Sequence, residues 1–287
     1  MAELGYRYSN SKLKQLAGAM AYEMKATPRK LERSRAKSST PEKVTGYFKK
    51  LEEVLKQHNL LEKPQHIYNL DENGLQTDHR PYNVVANSNS KCQAITSPRS
   101  STTTLIGCVN ALRQLLPPFF VFKGKRFNPD LMKGSSVGAK GVMSDSGWSN
   151  AAIFQQYLEE HFLPNARPCP EDKQPIILIY DEHSSHKSPK LINWARERGL
   201  ILFVLPARIS HLLQPLDVAV FGSSKNNYYS ECSSFMSRCI GQIITRYELC
   251  SIACKAYTRA MSPSNIQSAF RKTGIVPIDP TVVSLEK

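Results

Sequence analysis

The sequence predicts an α/β fold: a mixed sheet flanked by helices, with helical N- and C-terminal extensions. Three observations carry this reading. Apolar runs of strand length stand at 66–71, 102–110, 115–123, 175–180 and 200–205. Helix-type apolar spacing, with caps and breakers, fills the stretches between the later runs. The first three runs suit antiparallel pairing. The last two alternate with helices and so should lie parallel, joined by right-handed crossovers.

Ser11–Met24 has Leu13, Leu16, Ala17, Met20 and Ala21 at helical spacing. Thr40 and Pro41 are a cap and first-turn pair, opening a helix to about Asn59. Its apolar face carries Val44, Tyr47, Phe48, Leu51, Val54 and Leu55. The first strand is His66–Asp71, and Asn73-Gly74 reads as a turn after it. Thr102–Asn110 and Leu115–Lys123 read as a hairpin turning near Ala111–Gln114. Pro117 and Pro118 suggest an edge or a bulge in its second arm. Residues 123–148 read as loop. A helix over Ser149–Leu163 takes Ser149 as its cap. Pro175–Tyr180 is a buried strand, and Ser188–Arg198 is a helix capped by Ser188 and stopped by Gly199. Leu200–Leu205 is the last strand. A helix begins near Pro215, and others are expected at about 223–238 and 245–262. The domain division predicted is 1–62, a basic helical region; 63–222, the sheet domain; and 223–287, a helical extension.

Of 287 residues, 38 are Lys or Arg and 24 are Asp or Glu, a formal net charge of +14. Such an excess favours a polyanionic partner, nucleic acid first among them. Residues 1–64 hold 14 Lys/Arg against 7 Asp/Glu. The densest run, Lys25–Lys37, reads as a phosphate-binding arm, a nuclear import signal or a solvated helix face. Seven cysteines are scattered without a CxxC pair, which argues against a disulfide framework or a zinc ribbon. Cys250 and Cys254 suit a buried helix face. No apolar run has the length of a membrane span, so no membrane partner is expected. An intracellular, reducing compartment is the reading, cytosolic or nuclear.

Three acids stand at chosen places. Asp71 and Asp181 end buried runs, and Asp217 opens a helix 36 positions after Asp181. Carboxylates gathered in this way repel one another unless a cation joins them. Mg²⁺ is hard and takes carboxylate oxygens, and two such ions about 4 Å apart serve phosphodiester chemistry. The order of elements is the ribonuclease-H-like layout. In that layout the acids end the first strand, end the fourth and open a late helix. Glu72 and Glu182 stand beside two of the acids; side-chain alternation points them the other way, toward solvent. His183, Ser184, Ser185, His186 and His211 suit loop shaping or phosphate contact rather than zinc binding.

The strings IYNLDENGL, YDEHSSH, LPARISHLLQPLDVAVFGSSKNNY and AFRKTGIVPIDP, with PPFFVFKGKR between them, resemble the DDE superfamily endonuclease domain of pogo/Tigger and Jerky-type transposases. The resemblance spans about residues 40–280. It implies a ribonuclease-H-like fold and a transposase active site, with Asp71, Asp181 and Asp217 as catalytic metal ligands for Mg²⁺ or Mn²⁺. DNA is then the partner, the nucleus the location, and self-association stays open. Lys123, Lys125, Arg126 and Arg208 would hold the DNA backbone. Residues 1–62 would be a remnant of a helix-turn-helix domain. Two functions follow as expectations: metal-dependent DNA cleavage or strand transfer, or a domesticated, catalytically silent DNA-binding and regulatory protein.

Overall fold

The computed structural model describes residues 39–77, 102–166, 174–181, 188–239 and 242–283. The helix expected at 11–24 and the basic run at 25–37 lie outside these residues.

Helix α1 (Pro41–Gln57) starts as its sequence dictates. Thr40 is extended and its Oγ1 accepts from Lys43 N at 3.4 Å, with Pro41 in the first turn. Its apolar face is buried in the main core, where Tyr47 meets Phe203 edge-on at 5.7 Å between ring centres.

The sheet has six strands in the order β4-β3-β2-β1-β5-β6. They are β1 (Ile67–Gln76), β2 (Thr102–Asn110), β3 (Phe119–Lys123), β4 (Lys140–Ser144), β5 (Ile176–Tyr180) and β6 (Leu200–Val204). Pairs β1–β2 and β2–β3 are antiparallel, whereas β3–β4, β1–β5 and β5–β6 are parallel. The hairpin turn is where it was expected. Asn110 Oδ1 accepts from Gln114 N at 2.8 Å, and Arg113 takes the left-handed conformation at φ 73°.

Four expectations are corrected. Asn73-Gly74 is not a turn: β1 runs through it, pairing Asn73 with Leu105 and Gly74 with Thr104. The Trp148 indole packs over Gly74, 3.4 Å from where a Cβ would stand. The stretch 123–148 is not all loop. It holds β4, which makes β3 an interior strand. Pro117-Pro118 therefore precedes the strand rather than marking an edge; Pro117 O bonds the buried His161 Nε2 at 2.8 Å, and Pro118 O accepts from Lys140 N. Helix α2 (Ala151–Tyr157) is capped by Asn150, whose Oδ1 accepts from Ile153 N at 3.0 Å, and not by Ser149, which is buried. It continues through a π-helical turn, Leu158–Phe162, to Ala166.

Helix α3 (Pro189–Glu197) has the predicted Ser188 cap, and Gly199 follows it at φ 62°. After β6 come a single turn at Ser210–Leu213 and a π-helical turn at Leu216–Val220. Then follow α4 (Phe221–Arg238), α5 (Leu249–Ala260) and α6 (Pro263–Lys272). The sheet separates two apolar layers. One joins its face to α2 and α3; the larger joins the other face to α1 and α4–α6. Cys250 and Cys254 are buried in α5, as expected, and are free thiols.

Helix α5 is fixed across β2 by Tyr257. Its hydroxyl accepts from Cys108 N and donates to Leu116 O, both at 3.2 Å, and its ring leaves no room for a side chain at Gly107. Tyr257→Phe keeps the ring but strands two buried backbone groups. Urea unfolding is expected to show a loss of about 1–3 kcal/mol with an unchanged m-value.

Candidate active site

Asp71 is set by strand alternation. Tyr68 and Leu70 face the α2–α3 layer, so Ile67, Asn69 and Asp71 face the layer of α4–α6. The parallel ladder pairs Ile67 with Ile177 and Leu70 with Tyr180. One further step puts Asp181 opposite Asp71 on the same face. Adjacent strands lie about 4.8 Å apart, so the backbone ladder fixes the spacing of these two positions.

Asp217 reaches the same place by another route. Asn69 and Gln214 are fully buried side chains. Asn69 Nδ2 donates to Ile179 O at 2.9 Å and to Gln214 Oε1 at 2.6 Å, while its Oδ1 accepts from Leu216 N at 3.1 Å. Gln214 Nε2 donates to Leu70 O at 2.8 Å. Buried amides are costly unless satisfied, and these two satisfy each other and the backbone around them. The clamp holds the π-helical turn bearing Asp217 against the strand bearing Asp71.

The electrostatics report the gathering. The Asp71 carboxyl is held well above the usual carboxylate range, first by burial and then by the charge of Asp217. Asp181 adds to the rise; the Glu72 N–H and the Gln214 amide oppose it. Asp71 Oδ1 accepts from Glu72 N at 2.8 Å, and its buried Oδ2 has no hydrogen-bond partner among the described residues. Asp181 is half-buried and Asp217 exposed. Among the described residues no three His, Cys, Asp or Glu side chains form a ready-made ligand shell. The donor set nonetheless fits a hard divalent cation, through acceptor-only oxygens, a partnerless Oδ2 and mutual repulsion that a cation relieves.

Glu72 does not face solvent as expected. It is half-buried on the opposite side of the sheet, where its charge acts on the buried Tyr157 phenol. Glu182 and His183–His186 lie outside the described residues. His211 Nε2 lies 3.4 Å from Ser39 Oγ. Lys123, Lys125 and Arg126 are exposed at the end of β3, and Arg208 is exposed in the left-handed conformation after β6. Strands β3, β1, β5 and β6 all run the same way. By the ladder register Asp71 is level with Pro118, so Lys123, level with Gln76, stands five residues, about 17 Å, further along the strands, while Arg208 follows β6 on the other side of the acids. Asn69 and Gln214 were missed from sequence. Their signal was present: each is an amide between apolar residues, in IYNL and in HLLQPL.

The model of the family described as DDE superfamily endonuclease matches residues 99–270, more than half of the chain. The chain belongs to the DDE superfamily endonucleases. The structure of the Mos1 strand transfer complex is similar at TM-score 0.52 and 15% identity, covering 96% of this chain and 71% of that chain. At that identity the likeness concerns the fold, the ribonuclease-H-like mixed sheet. A Mos1 mariner paired end complex with Mg gives TM-score 0.49 and 13% identity over 96% of this chain and 75% of that one. A curated relative, the MFS-type transporter clz9 of Cochliobolus lunatus, is 30% identical over 200 residues, 67% of this chain. This chain spans about a fifth of that relative's length, 21%. Among the described residues no helix is long and apolar enough to cross a membrane.

Two predictions follow from the clamp and the buried acid. Gln214→Leu leaves Leu70 O and one Asn69 N–H without partners, so thermal or urea unfolding should show a loss of about 1–3 kcal/mol per stranded group. For Asp71, the folded chain holds the proton more tightly than the unfolded chain. Its contribution to stability is therefore present at acid pH and is lost as pH rises through the folded value. In EDTA, Asp71→Asn should be more stable than the wild type at pH 8. The gap should close toward the unfolded carboxylate value of about 3.9. Urea melts across this range check it.

Proposed function

We propose that this chain is a transposase-type nucleic-acid-binding protein, of the pogo/Tigger and Jerky kind, that cleaves or joins DNA phosphodiesters with Mg²⁺ or Mn²⁺. The observation that carries the reading is the register of Asp71 with Asp181, together with the amide clamp that brings Asp217 to the same face, in a DDE-family chain. Asp71, Asp181 and Asp217 would hold the cations. Bound there, they would neutralise phosphate charge and stabilise the leaving oxygen.

The remaining steps fall to the protein's own groups. The sheet and the clamp fix where the three carboxylates stand. Lys123, Lys125 and Arg126 on one side, and Arg208 on the other, hold the DNA backbone without reading its sequence. Water, or a DNA 3′-hydroxyl, attacks phosphorus in line, and the 3′-oxygen of the broken bond leaves. The net charge of +14 supports DNA as the partner. The run Lys25–Lys37 supports a nuclear location.

A second reading keeps the fold and the DNA contact without cleavage. It is favoured by the exposure of Asp217.

Nicking of supercoiled DNA in Mg²⁺ or Mn²⁺ separates the two. The cleaving protein should nick, and Asp181→Asn should fall to background; equal nicking by both would reject the assigned acids. No nicking, with DNA binding that survives EDTA and falls steeply with salt, would support the silent binder.

A further inference from the structure

Three chain segments meet at the end of β3. The loop 144–148 packs there: Gly124 N donates to Ser144 O at 2.8 Å, Ser144 Oγ donates to Trp148 O at 2.8 Å, and Gly147, at φ 81°, lies against Lys123. The segment before α5 joins them, because Arg246 Nη2 donates to Lys123 O at 3.3 Å. Lys123, Lys125, Arg126 and Arg246 thus share one small surface, with Asp145 the acid in the adjoining loop. Trp148 stands among them. One side of its indole covers Gly74, yet the residue is 52% exposed. Tyr247, next to Arg246, is 43% exposed. A large aromatic held rigidly by backbone contacts and left open on one side is costly unless a flat apolar surface covers it.

The composition of the patch selects that surface. Cations that follow a phosphate backbone, interleaved with an open aromatic plane, match a single strand whose unpaired bases stack. A duplex keeps its base faces inside its own stack and would use only the cations. Gly74 lies three residues beyond Asp71 on β1, about 10 Å along the strand, and by alternation it faces the α2–α3 layer, so the patch lies across the sheet from Asp71.

We propose that Trp148, with Lys123, Lys125, Arg126 and Arg246, forms a stacking platform for unpaired nucleotides on the α2–α3 side of the sheet, across it from the three aspartates. This deepens the DNA-binding reading above and rests on it.

The chain has two tryptophans, so Trp194→Phe leaves Trp148 as the sole one. Titrating this protein with oligo(dT) should quench its tryptophan fluorescence more than titration with a duplex of equal length. Trp148→Leu keeps an apolar cover over Gly74 but offers no ring. It should weaken oligo(dT) binding roughly 5- to 100-fold and change duplex binding less than about twofold, with Trp148→Tyr recovering most of the loss. If Trp148→Leu weakens both ligands equally, or neither, the platform is rejected while DNA binding stands. If neither ligand binds the unaltered protein, the DNA reading fails and takes the platform with it.

Discussion

Everything at the candidate active site depends on two buried amides. Asn69 sits inside an apolar strand, and Gln214 sits ahead of a proline in an apolar turn. Neither amide could be buried alone. Together they spend their hydrogen bonds on each other, on two strand carbonyls and on one helix N–H. That exchange joins segments 145 positions apart and decides where the third acid stands. Burying them is tolerable because every bond made inside replaces one lost to water.

The acid most deeply committed is Asp71. Burial and two neighbouring carboxylates disfavour its charge, while one backbone N–H and one amide favour it, and the balance falls toward the protonated form. A structure that keeps such a residue carries a destabilising group at neutral pH. Functional sites characteristically carry such groups, since a perturbed carboxylate gains a role from the cation that relieves it.

Much of this was legible in the sequence. Caps and breakers placed α1 and α3 to within a residue or two, because Thr40-Pro41 and Ser188-Pro189 act locally. The apolar runs gave five of the six strands, although Asp71, expected to end the first, stands inside it because β1 runs on to Gln76. What failed was decided at long range. Asn73-Gly74 is a turn by local preference, but a complete ladder with β2 and the covering Trp148 keep it extended. Strand β4, KGVMS, has no alternation to announce it and forms because β3 offers an edge. Glu72 was assigned to solvent as though only one side of the sheet were covered, whereas helices cover both. The amide clamp was invisible because partnership between residues 69 and 214 exists only after folding.

The two kinds of attachment at the site differ in mechanical character. Asp71 lies within β1, and Asp181 directly follows β5, one position past the last main-chain pair, Leu70 with Tyr180. Moving one relative to the other would mean breaking the core of the molecule. Asp217 belongs to a π-helical turn, a local widening of the helix that stores an extra residue, and side chains tie that turn to β1. The site thus has a stiff half and a compliant half. Amide hydrogen exchange would see the first open only with the whole fold, and the second at lower free energy. A carboxylate mounted on the compliant half can change position without asking the sheet to move.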